Sequence, residues 1–282
     1  MKPRFWRAFT RPRPSSDPSA RPVVFLHIPK TAGTSLIQAL LAMKPWRNTL
    51  TDQGNITPKL LRVYGSLSAE QQPDTLIYGH AYHATFPAFA DATLLTVLRD
   101  PEEQAVSHYL HVLRSPDSHL YRDAHALPFA DFLRKHWPCL VFQNISLDVP
   151  NSERPIATRD DFFSRLPAIR RVLDRIDFVG TTDDLCGFLA DLSRTFAVAE
   201  PPVQYLHRAI DFGISAAEIA ALRASYRAVA EEPALARLAA EERALYQAAK
   251  RKAEARQHPP KSFSRKPWLW ANRLASANKF RG

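Results

Sequence analysis

The sequence predicts an α/β fold: a central parallel sheet, helices on both of its faces, and a helix-rich second half. Three observations carry that expectation. Short apolar runs alternate with helical stretches in the first half of the chain. One of those runs, "ATLLTVLRD" at 92–100, is almost wholly apolar or β-branched from Thr93 to Leu98, as a strand buried on both faces must be. Beyond it, helical spacing dominates.

The first strand is "PVVFLHI" at 22–28, and "TSLIQALLAM" at 34–43 follows as a helix with Leu36, Leu40 and Leu41 near one side. "DTLIYGH" at 74–80 is the second strand and "ATLLTVLRD" the third. "PEEQAVSHYLHVL" at 101–113 reads as a helix with Pro101 in its first turn. In the second half, "PFADFLRKHW" places Phe129, Phe132 and Leu133 on one stripe. "RDDFFSRLPAIRRVLDRI" at 159–176 reads as a helical stretch interrupted at Pro167. "DFVGT" at 177–181 is a short strand, followed by Leu185, Phe188, Leu189 and Leu192 at helical spacing. Ser215 and Glu218 form a capping-box pattern, and 233–255 reads as a long helix.

The formal net charge of the 282 residues is +10, but it sits at the ends. Residues 1–21 hold six Lys/Arg against Asp17, and 251–282 hold nine against Glu254, so the tails carry +13 and residues 22–250 about −3. A basic nucleic-acid-binding core is therefore not expected. The expected organisation is a flexible basic arm at 1–21, one domain at 22–250 and a basic arm at 251–282. Cys139 and Cys186 are too few for a disulfide framework or a metal cluster and read as partly buried small hydrophobes. The N-terminal stretch has no apolar signal core and no run is long enough to cross a bilayer, so a cytoplasmic setting is expected.

Ligands of parallel α/β sheets sit beyond the C-terminal ends of the strands. Three motifs lie at such ends: His27 to Ser35, Gly79 to His83, and Arg99–Asp100. In "HIPKTAGTS" (27–35), backbone N–H groups and a helix start make an anion cradle. Gly33 permits close approach, Lys30 adds a mobile charge, and Thr31, Thr34 and Ser35 add hydroxyls. The loop does not follow the nucleoside-triphosphate pattern GxxxxGK[ST], because its lysine precedes the glycine by three residues. A decorated turn is the alternative. In "LRDPEEQAVSHY", Arg99 and Ser107 can bracket one phosphate, the planar fork of arginine suiting that task. The alternative is an arginine paired with Glu102 or Glu103. His80, after Gly79, is the natural proton acceptor near neutral pH.

The 27–35 stretch resembles the 5'-phosphosulfate loop of sulfotransferases that use 3'-phosphoadenosine-5'-phosphosulfate (PAPS). Its style is similar to carbohydrate sulfotransferases of the heparan sulfate 2-O type and their bacterial relatives. The resemblance implies a P-loop-type three-layer fold. It implies that Lys30 meets the 5'-phosphate and the bridging oxygen, and that Thr31, Ala32, Gly33, Thr34 and Ser35 hold the 5'-phosphate. Arg99 and Ser107 match the family's 3'-phosphate motif, which usually has a further arginine where this chain has Gln104. His80 matches the proposed base, and His83 is an orienting or substitute group. The implied products are adenosine 3',5'-bisphosphate and a sulfated carbohydrate or glycoconjugate, with no metal required. Trp268 and Trp270 lie among basic residues, which leaves three readings open for the tail: a peripheral contact with an anionic membrane face, a packed C-terminal arm, or a dimer contact. Arg114, Arg122, His125, Arg134 and Lys135 are candidates to meet an acidic glycan. The competing readings are a small-molecule kinase on a related loop, which would need a magnesium carboxylate, and a non-catalytic nucleotide-binding module docking through its tails.

Overall fold

The computed structural model describes residues 17–81, 89–144, 158–201 and 213–257. Its chain order is β1 (Val23–Leu26), α1 (Gly33–Met43), β2 (Asn48–Leu50), β3 (Asn55–Ile56), α2 (Pro58–Ser66), β4 (Thr75–Ala81), β5 (Thr93–Leu98) and α3 (Pro101–Val112). Then come α4 (Tyr121–Ala126), α5 (Phe129–Asn144), α6 (Arg159–Arg175), β6 (Phe178–Thr181), α7 (Leu185–Phe196), α8 (Ala216–Ala230) and α9 (Ala236–Gln257). The described strands form one parallel sheet in the order β2-β4-β1-β5-β6, with β3 pairing the far end of β4. This is the mixed α/β architecture the sequence predicts, with a central parallel sheet and a helix-rich C-terminal half.

Alternation along the strands builds two cores. Val23 and Phe25 of β1, with Leu95 and Val97 of β5, pack under α1 and α7. Val24, Leu26, Leu94 and Leu98 face the opposite way, under α2, α3, α5, α6, α8 and α9. Every residue of β1 and β5 is buried, which is why those strands read as continuous apolar runs. Each large apolar side chain withdrawn this fully stabilises the fold by about 1.5–3 kcal/mol.

The strand order creates one reversal. From β1 the chain moves toward β2 and β4; from β5 it moves to β6 on the other side. The neighbours β1 and β5 thus send their connections apart, and beyond the C-terminal ends of such a pair is where open α/β sheets form their ligand crevice.

Several local expectations need correction. Leu41 faces solvent, and Ala39 and Met43 complete the buried stripe of α1. Pro167 does not interrupt the helix: α6 runs through it, tertiary burial of Leu166, Ile169 and Val172 outweighing the lost hydrogen bond. The basic segment counted from 251 begins as helix, in keeping with the long helix expected over 233–255, and α9 extends to Gln257. Lys252 donates to the carbonyls of Leu173, Asp174 and Ile176, and Arg256 bonds Asp191 and lies over the Phe178 ring. At the other end, residues 17–21 are packed: Thr93 donates to the Pro18 carbonyl and Arg21 meets Asp177 at 3.5 Å. Cys186 is exposed rather than partly buried, and the Cys139 side chain lies outside the described residues.

Candidate functional site

Parallel register sets the geometry at the crevice. Leu26 of β1 is level with Gly79 of β4 and with Thr96 of β5. His27 and His80 are therefore neighbours one step beyond Leu26, and β5 overhangs β1 until Arg99 stands beside the loop. The Arg99 guanidinium donates to the Lys30 carbonyl at 3.3 Å, and the Gln104 amide of α3 donates to the Pro29 carbonyl at 3.4 Å. The exits of β1 and β5 are thus tied together directly.

The loop itself is unusual in its backbone. Lys30 (φ 64°) and Ala32 (φ 60°) are both left-handed, with Thr31 between them at negative φ. Alternating signs of φ turn successive N–H groups to one side, the arrangement of an anion-binding nest. Ala32 is also the N-cap of α1 and offers no capping side chain. By contrast α2, α3, α6, α7 and α8 are capped by Thr57, Asp100, Thr158, Asp184 and Ser215. A glycine is required at 33, because a β-carbon there would lie 1.9 Å from the His27 ring. Thr31 is fully buried and donates its hydroxyl to the Ile28 carbonyl at 2.8 Å, so it braces the turn. Ser35 is buried in the first turn of α1, and Thr34 is exposed there.

Gly79 lets the turn before β3 approach: a β-carbon would lie 2.7 Å from the Gly54 carbonyl, and φ is 152°. The next residue, His80, is the penultimate residue of β4. Its ring stacks on His27 with centroids 4.5 Å apart, and its Nδ1 lies 2.7 Å from the His27 carbonyl. A carbonyl only accepts, so Nδ1 carries the proton and Nε2 keeps a lone pair. Burial lowers the pKa of His80, which keeps the ring neutral at pH 7; the bond to His27 opposes that shift. His27 is pushed down to about 4 by burial, then by His80 and Lys30.

The electrostatics are those of crowded cations. Burial, then Arg114, then Arg99 bring Lys30 down to about 8. Burial lowers Arg99, Glu103 opposing and Arg223 adding to the shift. His111, after burial, is lowered by Lys30 and Arg114. Arg99 also meets Glu103 at 3.4 Å, so the ion-pair alternative for this arginine is realised alongside its bond to the loop. Glu102 and Glu103 are not idle surface charges, since Arg227 and Arg223 of α8 pair with them. Asp100 caps α3 through the N–H groups of Glu102 and Glu103, as its position suggests. Ser107 is half-buried one turn beyond Glu103.

Two cations that sequence reasoning did not assign to the loop and the Arg99 strand end therefore belong to this cluster. Arg114 follows α3 and stands near Lys30; Arg223 comes from α8. Nothing in the spacing of α8 signals Arg223, because its contact with α3 is tertiary. Among the other glycan candidates, Arg134 is held by Asp131 and Glu232, Lys135 by Asp123, and His125 by the Leu113 carbonyl. Arg122 is exposed. His83, Trp268 and Trp270 lie outside the described residues. Among the described residues no trio of His, Cys, Asp or Glu is placed to hold a metal ion, and no helix is long and apolar enough to cross a membrane.

No protein-family model matches the chain, and no curated protein is significantly similar to it.

Proposed function

We propose that the chain is a sulfotransferase on a P-loop-type three-layer fold, moving a sulfuryl group from PAPS to a hydroxyl of a carbohydrate or glycoconjugate. The observation that supports the reading is the joining of two cation-bearing strand exits, with Arg99 on the Lys30 carbonyl. A nucleotide phosphorylated at both ends of its ribose suits such a pair. The nest of 30–33, the uncapped start of α1 and Lys30 receive the 5' end; Arg99 and Ser107 receive the 3'-phosphate. Burial first, and then the positive charge of Arg114 and Arg99, depresses Lys30, and a multiply charged anion would offset both.

The chemistry follows from the side chains. The acceptor oxygen forms a bond to sulfur as the bond from sulfur to the bridging oxygen breaks. His80 Nε2 takes the acceptor's proton, its tautomer fixed by the His27 carbonyl. Negative charge develops on the departing oxygen beside Lys30 and the loop N–H groups, where fixed donors stabilise it most. Binding at the distant 3'-phosphate holds the donor in line. Asp100, the carboxylate at the end of β5, is engaged in capping, so no observation favours the magnesium-dependent kinase reading. The acceptor class, the cytoplasmic setting and the membrane contact of the basic tails rest on the resemblance and on composition.

Calorimetry in EDTA tests the reading. Adenosine 3',5'-bisphosphate should bind without magnesium, and about 10- to 100-fold more tightly than adenosine 5'-monophosphate. Equal affinity for the two, or binding that needs magnesium and ATP, overturns it.

A further inference from the structure

Resting on that reading, we infer that Arg223 of α8 is the second arginine of the 3'-phosphate grip. Two guanidinium groups converge on Glu103: Arg99 reaches Oε2 at 3.4 Å from the end of β5, and Arg223 reaches Oε1 from α8. Ser107 is four residues further along α3, on the same helical face as Glu103. Two arginines, a carboxylate and a serine thus share one side of the start of α3.

Position 104, where the resemblance leads one to expect an arginine, holds a glutamine that is 1% exposed and committed to the Pro29 carbonyl. The cation absent from the linear motif is supplied in space by Arg223. Glu103 acts as the internal counter-ion that keeps two close guanidinium groups compatible. A phosphate brings more charge and more acceptor oxygens, so it competes for the same donors. The Arg223 Nε is buried without a hydrogen-bond partner, so the donors that meet Glu103, and that a phosphate would compete for, are the terminal nitrogens of the guanidinium. Docking of α8 does not depend on this residue. Tyr226 and Val229 are buried against the core, and Arg227 holds Glu102 through bonds of 2.9 and 3.1 Å.

The test compares adenosine 3',5'-bisphosphate with adenosine 5'-monophosphate by calorimetry on the full chain. Arg223→Met should weaken the bisphosphate about 10- to 100-fold, leave the monophosphate unchanged and keep the melting temperature close to wild type. Arg223→Lys should recover part of the loss. Glu103→Gln removes the internal competitor and should tighten the bisphosphate alone by about 3- to 10-fold. Because Glu103 also holds Arg99, the decisive comparison is made in the Glu103→Gln background, where both Arg223→Lys and Arg223→Met should still weaken the bisphosphate and spare the monophosphate. If Arg223 only braces Glu103, neither Arg223 variant changes the ratio of the two affinities in that background, and the inference is wrong. If the wild-type protein does not distinguish the two nucleotides, the sulfotransferase reading fails and takes the inference with it. If wild type distinguishes them and Arg223→Met still does so equally well, only the inference falls.

Discussion

Replacing Lys30 with methionine should stabilise the ligand-free protein while abolishing nucleotide binding. Methionine keeps an apolar stem of similar reach, and it inherits the same left-handed backbone, so that cost cancels. What changes is the charge. Burial, Arg114 and Arg99 bring Lys30 from the ordinary 10.5 to about 8. One unit corresponds to about 1.4 kcal/mol, so holding the charge in the folded state costs about 2–3 kcal/mol after allowance for solvent at this half-buried site. Removing it should raise the melting temperature by about 4–10 °C in a domain of this size.

The sign fixes the pH window. The folded pKa lies below the unfolded one, so between about 8 and 10.5 the unfolded chain binds more protons at this site. The wild-type protein therefore gains stability from this group as pH rises through that window. The advantage of Lys30→Met should be full below about pH 8 and vanish by about pH 10.5. Thermal denaturation at pH 7 and pH 10.5 reads it, in low-salt buffer free of phosphate and sulfate. A variant that melts at or below wild type at pH 7, or keeps its whole advantage at pH 10.5, refutes the argument that burial and the nearby arginines penalise the Lys30 charge.

His80→Asn should lower sulfuryl transfer by about 10²- to 10⁴-fold while leaving adenosine 3',5'-bisphosphate affinity unchanged, as steady-state turnover and calorimetry would report. Asparagine can still donate to the His27 carbonyl, so a loss of nucleotide binding instead would assign His80 to the donor pocket. Gly33→Ala should destabilise the fold by about 1–3 kcal/mol, measured by urea denaturation, because the added carbon lies within the His27 ring and neither side can move freely. An unchanged midpoint would mean that His27 is free to leave the loop.

The sheet was legible because its central strands are buried on both faces and announce themselves as apolar runs. The β2–β3 segment and α2 escaped notice. Asn48–Leu50 and Asn55–Ile56 are short edge pieces with only Ile56 deeply buried, so no alternation marks them. That the loop is a tight turn carrying a lysine was visible in its composition, yet the structural roles of its side chains were not. Thr31 looks like a ligand in sequence and is a brace in space. Gln104 looks like a lost cation and is the tie between α3 and the loop. His27 looks incidental; its ring dictates Gly33 and its carbonyl sets the His80 tautomer. Each of these depends on which carbonyl lies within reach, and parallel register decides that, not neighbouring residues.

The placement of cations explains why the helix-rich half belongs to the site. Residues 22–250 carry a formal charge of about −3, yet the crevice gathers Lys30, Arg99, Arg114 and Arg223. Like charges in a half-buried crevice repel, and the loop alone has nothing to hold them. Helix α3 supplies Glu103 as counter-ion and Gln104 as tie, and α8 supplies Arg223 while Arg227 fastens it to Glu102. Packing that reads in sequence as core is therefore what keeps an unfavourable charge arrangement assembled. The corollary is a strong linkage: an anion that neutralises the cluster stabilises the fold by RT ln(1 + [L]/Kd). Lys30→Met gives up that gain because it has removed the strain in advance.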